Sequence, residues 1–138
     1  MLIITEDLIE ERAYNEEYES ITWEECTLRT YLNGEFYDSF SEEEQAMIAE
    51  TNLTTPDNSA YGTDGGNDTT DKIFLLSLYE VRQYMTENER KSNSWWWLRS
   101  PGNIQNHAAV VHSDGVVSTR GNNVDYGYGV RPVLNLLV

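Results

Sequence analysis

Trp95-Trp96-Trp97-Leu98-Arg99-Ser100-Pro101-Gly102 opens the stretch that decides the fold. A hairpin follows, Ala108-Ala109-Val110-Val111-His112-Ser113-Asp114-Gly115-Val116-Val117-Ser118-Thr119-Arg120, and the chain closes on Val130-Arg131-Pro132-Val133-Leu134-Asn135-Leu136-Leu137-Val138. These runs read as a sheet, and everything before them as its support. Side-chain alternation argues the hairpin register. A two-residue Asp114-Gly115 turn pairs Ser113 with Val116 and His112 with Val117, which divides the valines badly between the faces. A three-residue loop, Ser113-Asp114-Gly115 with Gly115 left-handed, pairs His112 with Val116 instead. Ala109, Val111, Val117 and Thr119 then share a face suited to a core. Val110, His112, Val116, Ser118 and Arg120 share the other, a mixture of apolar, imidazole, hydroxyl and guanidinium groups that suits display. The three-residue loop is the preferred reading.

Gly121-Asn122-Asn123-Val124-Asp125-Tyr126-Gly127-Tyr128-Gly129 comes next. Its glycines permit unusual backbone angles, which Asn and Asp also tolerate. Tyr126 and Tyr128 add large amphipathic rings with few torsions to freeze, as binding loops favour. An ordinary turn-rich loop has the same composition.

Trp96-Trp97-Leu98-Arg99-Ser100-Pro101-Gly102, Ala108-Ala109, Ser113-Asp114-Gly115 and Gly129-Val130-Arg131-Pro132-Val133-Leu134-Asn135-Leu136 together resemble an uncharacterised bacterial and phage domain family with a C-type-lectin-like fold. The resemblance extends upstream to Thr22-Trp23, Leu28-Arg29, Leu32-Asn33, Phe36, Gly62 to Thr69 and Asp71 to Ser77, and so covers nearly the whole chain. Arg90 to Ser94, just before the tryptophans, is shorter than in that family. The same fold houses the variable proteins of diversity-generating retroelements, whose hypervariable positions lie near the C-terminus. Formylglycine-generating enzymes are distant relatives of it. The resemblance also implies that the first and last strands pair.

Retroelement diversification randomises adenines, typically in AAY asparagine codons. Such codons reach Tyr, His, Asp, Ser, Gly, Arg, Val and Ala, but not Lys, Glu, Gln, Met or Trp. Asn103, Asn106, His107, Val110, His112, Val116, Ser118, Arg120, Asn122, Asn123, Asp125, Tyr126 and Tyr128 all belong to the reachable set and are the candidate ligand-binding residues. Leu98 to Val138 contains no Lys, Glu or Met. A short Gly- and Asn-rich sheet region can lack them for no further reason. Gln105 must be a fixed position or come from another codon.

With 138 residues the chain is long enough for one domain and short for two. A hydrophobic content of 39% permits a real core. Met1-Leu2-Ile3-Ile4 reads as a strand rather than a leader, and no apolar run is long enough to span a bilayer. The expectation is therefore no membrane insertion and a cytoplasmic or phage-associated location. The net charge of −15 is uneven. Residues 1–50 hold 15 acidic and 2 basic side chains, residues 51–94 hold 7 and 4, and residues 95–138 hold 2 and 3. The acidic half repels nucleic acid and anionic lipid. The nearly neutral last part leaves specificity to its own side chains. A single cysteine, Cys26, excludes an intrachain disulfide and reads as a small buried apolar residue.

Along the chain, capping boxes at Thr22/Glu25, Ser41/Glu44 and Ser77/Glu80 predict three helices, the first ending at Gly34. Ile73 to Leu76 reads as a buried strand. Thr54 to Asp71 is a long turn-rich loop. Asp57, Asp64, Asn67, Asp68 and Asp71 supply oxygens of the kind calcium takes, without the spacing of an EF-hand, and turn formation explains them equally well. No cofactor is called for. Since neighbours alternate along a strand, Trp95 to Trp97 cannot all point inward; either Trp96 or its two neighbours belong to the core, and the remainder lie partly exposed beside the display face. Arg99 and Arg131 read as structural, paired to carboxylates or carbonyls.

These observations predict a single α+β domain over 1–138, with helices packed on one side of a small, twisted, mainly antiparallel sheet. Residues 95–138 carry the ligand surface. No enzyme is expected: the only imidazoles, His107 and His112, lie in the candidate variable region, and neither a Gly-x-Ser-x-Gly elbow nor a phosphate loop occurs. The expected function is a ligand-binding scaffold, the variable protein of a diversity-generating retroelement, with a protein or peptide partner. The alternative is a fixed structural or adhesion domain of a phage or bacterial surface protein.

Overall fold

Six consecutive residues, Trp96 to Pro101, are buried, which a strand achieves only when both of its faces are covered. The computed structural model describes residues 1–138 and builds the molecule around this strand. The strands are β1 Leu2–Ile4, β2 Glu10–Ala13, β3 Ile48–Ala49, β4 Thr51–Leu53, β5 Thr69–Asp71, β6 Trp96–Pro101, β7 His107–Val111, β8 Val117–Asn123, β9 Gly127–Val130 and β10 Val133–Leu136. The α-helices are α1 Thr27–Tyr31, α2 Glu42–Met47, α3 Leu78–Tyr84 and α4 Glu87–Arg90. One sheet has the order β2-β9-β6-β7-β8, a second β1-β10-β3, and β4 pairs with β5. Every pairing in the large sheet is antiparallel except β6 with β9. The first and last strands do pair, with Ile3 opposite Leu134. No helix is long and apolar enough to cross a membrane.

The molecule is mostly β, which corrects the α+β, C-type-lectin-like expectation of helices packed on a small sheet. The physical reason lies in the helices. They run to only 5, 6, 7 and 4 residues. Segments this short are marginal alone and need an apolar face, yet α1 buries only Leu28, α3 only Val81, and α2 and α4 nothing. Most of the core belongs to the strands and to the extended segments beside them.

Local signals fared unevenly. The boxes at Ser41/Glu44 and Ser77/Glu80 both close, and Thr86/Glu89 forms a further one at α4. The box at Thr22/Glu25 does not: Trp23–Glu25 is a 3-10 turn, and the Thr22 side chain makes no capping bond. Trp23 is buried instead, its Nε1 donating to Asp71 Oδ2 at 2.9 Å. Helix α1 starts later, with the Cys26 sulfur accepting from Arg29 N at 3.5 Å. Gly34 does not end the helix but lies inside a π-turn, Leu32–Phe36. Asn33 anchors that turn: its Oδ1 accepts from Lys72 N at 2.7 Å and Ile73 N at 3.0 Å. Ile73 to Leu76 is buried as expected, but its only ladder contact is a bridge from Phe74 to Val133, so it is extended chain rather than a strand.

The two structural arginines do what their burial requires, since a buried guanidinium must spend its donors. Arg99, 1% exposed, pairs with Glu80 and donates to Leu75 O at 2.9 Å, Thr54 O at 2.8 Å and Thr55 Oγ1 at 3.1 Å. Arg131 donates to the carbonyls of Thr5, Glu6 and Glu89 at 3.0, 2.9 and 3.2 Å and lies over the Trp96 ring.

Cys26 is fully buried, and burial pushes its thiol up to about 12 from 9.0. Burial also raises the Tyr14 phenol, which donates to Arg99 O at 2.8 Å. Both groups hold their protons more tightly folded than unfolded. The thiol's contribution is complete below its ordinary 9.0 and is lost as pH rises through about 12, and the phenol's is lost in the same direction above its own ordinary range. Urea midpoints should therefore be flat near neutrality and fall above about pH 9. A midpoint constant to about pH 11 would contradict the burial of these groups.

Candidate functional site

The hairpin register is that of the three-residue loop. His112 N donates to Val116 O at 2.8 Å, Gly115 has φ +89°, and Val111 faces Val117. Continuing the β6–β7 register one step past Trp96 and Val111 places Trp95 across from His112. Their rings stack, with centroids 4.0 Å apart and planes at 23°. Tyr128 of β9 lies 5.5 Å from Trp95 and 5.0 Å from Trp97, and Tyr126 lies 6.3 Å from Tyr128. An aromatic strip thus crosses from β9 to β7. Tyr128 accepts a bond from Asn122 Nδ2 at 2.8 Å, while burial raises its phenol.

Beside the strip β8 bulges. Val110 faces Ser118, but Ala108 faces Asn122, so β8 inserts Thr119, Arg120 and Gly121 against Ala109 alone. The local backbone demands a left-handed residue, and Gly121 supplies it at φ +66°. Its N–H reaches Ser118 Oγ at 3.2 Å, and Arg120 O accepts from Asn103 N at 2.9 Å. The bulge frees the Arg120 side chain, which has no ion-pair partner.

Asn103, His107, His112, Ser118, Arg120 and Asn122 line one open depression with Trp95 and Gly121, about 330 Å³ in volume. Asn103 Oδ1 and His107 Nδ1 are buried there without a partner in the protein. Such groups cost about 1–3 kcal/mol each while unpaired. A partner group reaching them would recover part of that. Neither imidazole bonds to Ser118, whose oxygen is engaged by Gly121 N. No group of three or more His, Cys, Asp or Glu side chains could hold a metal ion. The calcium candidates are dispersed. Asp57 accepts from Gly65 N at 2.9 Å, Asp64 from Gly66 N at 2.9 Å, and Asn67 donates to Glu24 at 3.1 Å. Asp71 is taken by Arg29 at 2.7 Å.

A family model described as a domain of unknown function, DUF6273, matches residues 1–138. The chain is a DUF6273 domain. Comparison with curated proteins and with solved structures finds no match.

The DUF6273 domain brings six of the thirteen expected ligand residues into the depression. Val116, Asp125 and Tyr126 are exposed nearby, at the hairpin tip and in the β8–β9 loop. Asn106 and Asn123 lie outside the depression, where their backbones pair: Asn106 O accepts from Val124 N at 3.1 Å, and Asn123 stands opposite His107. Val110 is a correction. It was expected on the open face and is fully buried, because it stands opposite Trp97 on a strand covered on both sides. The tryptophans correct the alternation argument for the same reason: Trp96 and Trp97 both lie in the core, and only Trp95 borders the open face. Val117 and Thr119, expected inside, are half-buried because β8 is an edge strand. The part of Gly121 was missed, although a lone glycine inside a strand pattern is a bulge signal.

Proposed function

We propose that this DUF6273 domain is a ligand-binding module whose partner, a protein or peptide, meets the depression on β7 and β8 and the aromatic strip beside it. We further propose that the surface is diversified by a retroelement. The observation that carries the binding reading is the convergence of Asn103, His107, His112, Ser118, Arg120 and Asn122 on one open concavity. Three chain segments contribute, and rings held by their neighbours form one wall. Rigid aromatic surface with adaptable polar groups binds at little entropic cost. Four of those six side chains have no side-chain hydrogen bond within the protein (Asn103, His107, His112 and Arg120), so changing them costs the fold little.

Coding DNA of sister copies tests the diversification. Differences should cluster at the adenine-reachable codons of the exposed positions, alongside a template repeat and a reverse transcriptase gene. Val110 should vary only among small apolar residues. Sister copies that differed mainly in α1 to α4, or not at all in residues 103–128, would favour the fixed adhesion domain instead.

A further inference from the structure

The largest concavity lies away from that depression, on the opposite side of β8. It holds about 580 Å³ between Pro56–Ser59, α3, Ser100 and Thr119. Small-ligand sites have this size. Its floor contains two hydroxyls, Ser77 and Ser100, each 2% exposed. Ser77 Oγ accepts from Glu80 N at 3.2 Å and Ser100 Oγ from Leu78 N at 2.9 Å. Neither hydroxyl donates to any group of the protein, so two buried O–H donors remain unspent where the groove meets them. Three of the first amides of α3 are already used, Leu78 N and Glu80 N by these serines and Val81 N by Ser77 O, while Tyr79 N has no partner in the protein.

At the rim stands Arg82, exposed and engaged in no ion pair or hydrogen bond. Tyr79 offers a ring that is 67% exposed. The negative groups nearby are limited. Glu80 is neutralised by Arg99, and Asp57 turns one oxygen to Gly65 N. Donors on the floor and a guanidinium at the rim call for an acceptor with negative charge. Asp57 across the groove, and the overall charge of −15, disfavour more than one such charge.

We propose that this groove binds a monoanionic carboxylate ligand, its oxygens on the Ser77 and Ser100 hydroxyls and Arg82, and its apolar body against Tyr79. The site is independent of the display depression. The probe is benzoylglycine, which joins a carboxylate to a ring, titrated into isotope-labelled protein and followed by amide and arginine Nε chemical shifts. Saturable shifts are expected at Tyr79, Arg82, Ser100 and Thr119. The neutral benzoylglycine amide should bind about tenfold more weakly, as should benzoylglycine to Arg82→Gln. Arg82 is exposed and unpaired, so that variant should keep its urea midpoint. Tyr79→Ala should weaken benzoylglycine by about threefold. Inorganic phosphate should bind more weakly than benzoylglycine. No saturable shifts, equal affinity for acid and amide, an unaffected Arg82→Gln, an unaffected Tyr79→Ala, or tighter binding of phosphate would each overturn the assignment.

Discussion

Replacing Arg99 with Met should lower the unfolding free energy by about 3–5 kcal/mol, the range for breaking a buried ion pair from one side. Methionine fills much of the volume, so packing is not the main loss. What remains is a Glu80 carboxylate with no counter-ion, together with Thr54 O and Leu75 O stripped of their donors. Each of those carbonyls adds to the cost because water cannot readily replace the guanidinium. Arg99 ties β6 to the Thr54 and Leu75 segments and to α3, so the loss is distributed over the fold. Urea unfolding followed by tryptophan fluorescence measures it. A loss under about 1 kcal/mol would mean that the buried network is not what holds α3 to the sheet. Removing both partners, with Glu80→Gln added, should recover part of the stability.

Gly121→Ala should cost about 2–4 kcal/mol, combining the left-handed penalty with backbone displacement. Gly121 has φ +66°, and an added Cβ would stand 1.8 Å from Ala108 O and 2.5 Å from Ala108 C. These are backbone atoms of the adjacent strand and cannot swing aside. The bulge would have to open, and Arg120 and Ser118 would move with it. Gly127→Ala is the control. It has ordinary φ and no neighbour within 4 Å of the added carbon, and should cost less than about 1 kcal/mol. Equal effects of the two substitutions would show that the bulge is not rigid.

The reach of the sequence can be judged from particular residues. The Ser113-Asp114-Gly115 loop was readable because a left-handed glycine and the valine alternation point the same way. Ser41 and Ser77 were readable as caps because a box is closed by side chains three residues apart. Arg99 and Arg131 were readable as structural, since charges in an apolar run must find partners. The balance of helix and sheet was not. A capping box marks where a helix starts and says nothing of where it stops, and α3 and α4 end within two turns. Thr22 failed as a cap because Trp23 is drawn inward to Asp71, 48 positions away. Val110 was misplaced because alternation tells two faces apart without saying whether both are covered. The groove at Arg82 left no sequence signal, since it is assembled from Pro56–Ser59, α3, Ser100 and Thr119.

Separation of scaffold from binding face is most directly tested by the stability of one multiple variant. His112, Val116, Arg120, Asp125 and Tyr126 lie on or beside the open face, and none of their side chains is hydrogen-bonded within the protein. Changing all five to serine should leave urea unfolding cooperative, with a total loss within about 3 kcal/mol, most of it from the Trp95–His112 stack and the Tyr126–Tyr128 contact. A loss of about 4 kcal/mol or more, or a broadened transition, would show that these side chains hold the fold together and would contradict the account.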